Sequence, residues 1–69
     1  MSKITYKEAD KVIRREAWDR RGEFSHNIVT LTLQKVKEDL SLSEANKLVK
    51  KYNLLFIFGI QTEGEIGEV

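Results

Sequence analysis

The densest apolar run of the chain, Leu54 to Phe58, closes a stretch from Ser43 to Ile60 that the remaining residues must cover. Wrapped at about 100° per residue, Ala45, Leu48, Val49, Tyr52, Leu55 and Phe56 share one face of a helix, and Lys47, Lys50 and Lys51 share the other. Leu54, Ile57 and Phe58 then continue the lysine face, so a helix extended through them would be apolar all round and would need burial on every side. Asn53 offers another ending, because it tolerates the left-handed backbone of a helix C-terminus; Leu54 to Gln61 would then be a strand. On either reading the segment needs cover from elsewhere in the chain or from a second chain.

Upstream, Tyr6, Ala9, Val12, Ile13 and Ala17 fall on one side of a first helix, opened by the capping-box spacing of Thr5 and Glu8 and stopped at Gly22. The middle stretch, Ser25 to Leu40, carries two patterns. Val29, Leu33, Val36 and Leu40 recur at helical intervals, with Ser25 or Asn27 as a cap. Yet Ile28, Val29, Thr30 and Thr32 are β-branched, and Val29, Leu31 and Leu33 alternate with threonine as a half-buried strand would. The two choices are linked, because a lone strand at 54–61 would leave unpaired edges and its natural partner is 28–33. The helical stripe runs on to Leu40 whereas the alternation stops at Leu33, which favours helix. Ser41 and Glu44 repeat the capping-box spacing and start the next helix. The expected fold is mainly α, a small three-helix domain over residues 1–61; the alternative is α+β with strands near 28–33 and 54–61. Residues 62–69 are acidic, contain two glycines and lack an apolar period, and are expected to form a flexible tail.

Length and composition narrow the chemistry. At 69 residues, burial only just offsets chain entropy, and dimerisation is a common remedy. The chain has no cysteine and one histidine, so disulfides, thiolate metal sites and an all-protein zinc site are not expected, and no cofactor is implied. Three of the four glycines, at 59, 64 and 67, follow the last apolar segment, where no phosphate-cradling loop can precede a helix. Ser25 stands beside His26, but neighbours in sequence say nothing of nucleophile–base geometry, so no catalytic residue is assigned. The Met1 to Thr5 start has no long apolar region and the C-terminal apolar run is too short to span a bilayer, so neither a signal peptide nor a membrane span is expected and the cytoplasm is the default location.

Charge supplies the one candidate surface. The net charge is +1, but residues 1–22 hold seven Lys or Arg against four acids, while residues 54–69 hold three glutamates and no base. Lys7, Lys11, Arg14, Arg15, Trp18 and Arg21 lie opposite the apolar side of the first helix, with the only tryptophan among five basic side chains. Such a face suits a protein partner, with the indole as anchor, or a nucleic acid, with cations on phosphates and the indole on an unpaired base. It is also what a solvated helix looks like, with Lys11 and Arg14 over Trp18 and with Glu8, Asp10, Glu16 and Asp19 paired to nearby bases. The four acids weigh against phosphates. A helix-turn-helix is disfavoured as well, because the Leu40 to Ser43 join lacks glycine and Leu54 to Phe58 is too apolar to enter a groove. Glu63, Glu65 and Glu68 do not have the spacing of a calcium loop. Leu54, Ile57 and Phe58 are expected to form a self-association surface. The expected function is therefore a non-enzymatic protein-binding regulator or inhibitor, homodimeric, that occupies a site on a larger protein; the alternative is a nucleic-acid-binding regulator using the basic face of the first helix.

Overall fold

Thr5 opens the first helix as its spacing to Glu8 requires: its Oγ1 accepts from the Glu8 backbone N–H at 3.1 Å, and Glu8 Oε1 accepts from the Thr5 N–H at 3.1 Å. The computed structural model describes residues 3–64, and among them every regular element is helical. Helix α1 spans Tyr6–Arg14 and runs directly into one π-helical turn, Arg15–Asp19. Helix α2 spans Ser25–Asp39, α3 spans Leu42–Lys51 and α4 spans Leu54–Phe58. The fold is mainly α, with a fourth helix where the sequence pattern suggested three.

Neither strand of the α+β alternative forms. Residues 28–33 lie inside α2, where Val29, Leu33 and Val36 are buried as the helical stripe demands. Burial along a stripe outweighs the weak preference of β-branched residues for strand, and Thr32 turns its hydroxyl back to the Ile28 carbonyl at 2.8 Å. The ends of the connecting turn also differ from expectation. The first helix stops at Asp19, short of Gly22, and the cap position of α2 is Phe24, which makes no side-chain capping bond. Ser25 is turned inward instead, accepting from the Gly22 N–H at 2.8 Å. Ser41 does cap α3, its Oγ accepting from the Glu44 N–H at 3.2 Å.

The break at Asn53 decides which side chains of the apolar run are covered. Asn53 is left-handed, at φ 54°, so α4 restarts in a new direction instead of continuing α3. Leu54 is fully buried and Ile57 and Phe58 are half-buried, whereas Leu55 is 55% exposed and Phe56 84% exposed. This reverses the expected face, on which Leu55 and Phe56 continued the inner stripe of α3. Gly59, at φ 73°, ends α4 with its N–H on the Leu55 carbonyl at 2.8 Å, and the Ile60 N–H bonds the Leu54 carbonyl at 3.3 Å.

The core joins Ala9, Ile13 and Ala17 to Val29, Leu33 and Val36 of α2, with Leu48 and Val49 of α3 and Leu54 of α4. Helix α2 packs against both α1 and α3, and α4 rests on α3. The chain is flat, 34 × 32 × 16 Å, little more than one helix thick, so much of each helix meets solvent.

After α4 the chain returns across α2 and α3. The Asn46 side chain, 6% exposed, pairs with the Glu63 backbone in both senses: Nδ2 donates to the Glu63 carbonyl at 2.7 Å and Oδ1 accepts from its N–H at 3.0 Å. Lys37 Nζ adds an ion pair to Glu63 Oε1 at 2.9 Å. Glu63, in the stretch expected to begin a free tail, is therefore tied to the helices; residues 65–69 of that expected tail lie outside the described residues. Replacing Asn46 with alanine should release this strap at a cost of about 1 kcal/mol. Hydrogen exchange reads it directly: the Glu63 amide should lose protection while the core amides of α2 keep theirs.

Candidate functional site

The outer face of the first helix is shaped by its π turn. The Arg20 N–H bonds the Arg15 carbonyl, five residues back, at 2.8 Å, and the wider turn shifts every side chain beyond Arg15 from its place in a regular α-helix. Lys7, Lys11, Arg14 and Arg15 line a depression together with Asp10, Asp19 and, from the end of α3, Lys51 and Tyr52. Trp18 and Arg21 line a different one, with Ala17, Asn53, Phe56 and Ile57. All six residues expected at a partner surface are exposed, but the structure sorts them into two groups, both of which draw on the π turn. The expected cluster with the indole at its centre does not form. Among the described residues no cation lies over Trp18; the cation–π contact belongs to Lys51, whose Nζ is 5.4 Å from the Tyr52 ring.

The carboxylates on this helix behave differently from one another. Asp10 accepts from Lys51 Nζ at 2.6 Å and from the Tyr52 hydroxyl, which ties α1 to the end of α3. Partial burial pushes its pKa up, but the bonds from Lys51 and Tyr52 and the charges of Lys51 and Arg14 prevail, and the carboxyl titrates below its usual range. The bond to Asp10 holds the Lys51 ammonium above its usual pKa. Burial, and then the same carboxylate, raise that of the Tyr52 hydroxyl. Glu16 was expected to sit in solvent and is instead 3% exposed. It accepts from Ser25 Oγ at 3.0 Å, Arg15 Nε at 3.1 Å and Arg20 Nη2 at 3.1 Å, and these bonds outweigh the desolvation that would raise its pKa, so it too titrates low. The bonds from Arg15 and Arg20 are local, but no local pattern signals the one from Ser25, nine residues away across the turn.

With Asp10 and Glu16 so engaged, Lys7, Lys11, Arg14 and Arg21 have no carboxylate within ion-pair range among the described residues. The expected self-association surface fares less well. Leu54 is enclosed by the chain's own core and is not available to a second copy, Ile57 is half-buried, and Phe58 is half-buried with its ring edge-on to His26 at 5.7 Å. The exposed members of that run are Leu55 and Phe56, which the periodicity had placed inward; the left-handed potential of Asn53 was the only signal that could have found them.

Among the described residues no helix is long and apolar enough to cross a membrane, and no three His, Asp or Glu side chains gather as metal ligands would. The first depression offers cations, and the second an indole, a phenyl ring and Arg21. Comparison with known protein families, with curated proteins and with solved structures finds no match to this chain.

Proposed function

We propose that the chain is a small non-enzymatic protein-binding regulator or inhibitor that occupies a site on a larger protein, with Trp18, Arg21 and Phe56 at the centre of the contact. The observation that supports this is the meeting of two large aromatic side chains from separate helices, 60% and 84% exposed, at one depression rimmed by an arginine. Leaving both rings in water forgoes burial worth about 25 cal/mol per Å² of apolar surface, and neighbouring exposed rings of this kind mark interaction sites. Tryptophan and arginine are also the residue types on which interface energy concentrates. The rival reading, a nucleic acid on the basic face, must bring phosphates past Asp19, which shares the depression with the lysines.

A photo-crosslinking amino acid at position 56, expressed in cells, tests the proposal. A discrete adduct with a larger protein is expected, and Trp18→Ala should weaken that complex by about thirtyfold or more, the measure of an interface anchor. An adduct of two copies of the chain, or one with RNA or DNA, would show that the occupant is something else.

A further inference from the structure

The two halves of the surface differ in kind, and their order along the helix specifies what fits them. Lys7, Lys11 and Arg14 follow one another at intervals of four and three, which sets a row of cations along about 10 Å of helix, none within ion-pair range of a carboxylate among the described residues. Asp10 stands among them and attracts Arg14, but its hydrogen bonds go to Lys51 and Tyr52, and Arg15 is engaged by Glu16. The remaining acid of this depression, Asp19, lies at its far end, next in sequence to Trp18. The neighbouring depression that holds Trp18 is lined by Ala17, Phe56 and Ile57 as well, with Asn53 and Arg21 as its polar members.

Resting on the protein-binding reading above, we propose that the partner presents an acidic amphipathic helix: a row of carboxylates lies against Lys7, Lys11 and Arg14, and a large apolar side chain beyond it enters the depression between Trp18 and Phe56. Carboxylates on one face of a helix recur at the same intervals of three and four as these cations, and a helix laid in a groove is held by apolar anchors at that spacing. A polypeptide can change from acidic to apolar where the surface does. A phosphate chain cannot, since it carries a charge at every step and would run on to Asp19 and the apolar lining.

The sole tryptophan of the chain sits in the site and reports occupancy by its own emission. The probe is a tryptophan-free helical peptide of about 15 residues, with glutamates at intervals of four and three followed by leucine and phenylalanine. A saturable blue shift of Trp18 emission is expected with this peptide, and none with a counterpart in which lysine replaces glutamate. Lys11→Glu combined with Arg14→Glu, both exposed positions whose helicity is checked by circular dichroism, should weaken the acidic peptide by at least about tenfold and admit the lysine peptide. If both peptides bind alike and both are lost on Phe56→Ala, the acidic preference is overturned while the aromatic protein-binding site stands. If neither binds but oligothymidylate does, with affinity falling steeply as salt is added, the protein-binding reading falls as well. Failure of the acidic peptide and the oligonucleotide alike overturns the acidic-helix proposal.

Discussion

Leu54→Ala is expected to cost about 2–5 kcal/mol of stability, whereas Phe56→Ala, two residues along the same apolar run, should change it by no more than about 0.5 kcal/mol. Leu54 is fully enclosed, so truncation removes its transfer free energy and leaves a cavity among packed neighbours. Phe56 is 84% exposed and loses almost nothing on truncation. A chain of 69 residues has a total stability of about 3–10 kcal/mol, so the first variant should unfold at much lower urea and the second should be indistinguishable from the parent. Urea titrations of the two variants measure the difference. Equal losses would mean that α4 is turned the other way and that the exposed ring on which the binding proposal depends is not exposed. The pair also separates roles: Phe56→Ala should abolish binding of the acidic peptide in a chain that folds normally, while Leu54→Ala should lose binding only as it loses its fold.

The second large effect is expected at the clasp between the π turn and α2. Ser25 is 1% exposed and its hydroxyl both donates to Glu16 and accepts from Gly22, so Ser25→Ala should cost about 1–3 kcal/mol at neutral pH by leaving buried partners unmade. The loss should depend on pH in a defined direction. Glu16 titrates below its ordinary 4.5 in the folded chain, so the stability it contributes is complete above that value and disappears as pH falls through its lower folded pKa. Asp10, lowered from 3.8, acts in the same sense. The parent should therefore hold a constant urea midpoint from neutral pH down to the carboxylate range and lose stability below it. Ser25→Ala removes one of the bonds that keep Glu16 ionised, which brings its folded pKa back towards the ordinary value. The gap between parent and variant should consequently narrow in acid. A gap that stays constant from neutral pH down through the acid range in which the parent loses stability would show that Ser25 acts by packing alone.

Periodicity located most of the inner face of the first helix, where Ala9, Ile13 and Ala17 are buried and Tyr6 and Val12 half-buried, and the stripe of Val29, Leu33 and Val36 in α2; Leu40, expected to extend that stripe, lies past the end of α2 and is exposed. The two helix starts at Thr5 and Ser41 were also legible, because capping is a contact between residues three apart and hence a local property of the chain. The site was legible only in part. Each of Lys7, Lys11, Arg14, Arg15, Trp18 and Arg21 is exposed, yet the π turn that divides them has no signature in residue spacing, because burial at 9, 13, 16 and 17 is equally the pattern of a regular α-helix. Phe56 was read as core because a helix was carried through a residue that, in the fold, turns left-handed.

What the order of residues determined by itself is the class of the fold and the chemistry it carries: amphipathic helices with local caps, a basic start, and no thiol or paired histidines for redox or metal work. What tertiary structure decided is the use of ambiguous positions. Asn53 could continue a helix or break it, and packing Leu54 into the core selects the break, which turns Phe56 outward beside Trp18. Glu16 could have stayed in water, and Ser25, arriving from across the turn, makes its burial tolerable by completing its hydrogen bonds. In both cases the deciding free energy comes from contacts between residues distant in sequence, and no local pattern encodes it.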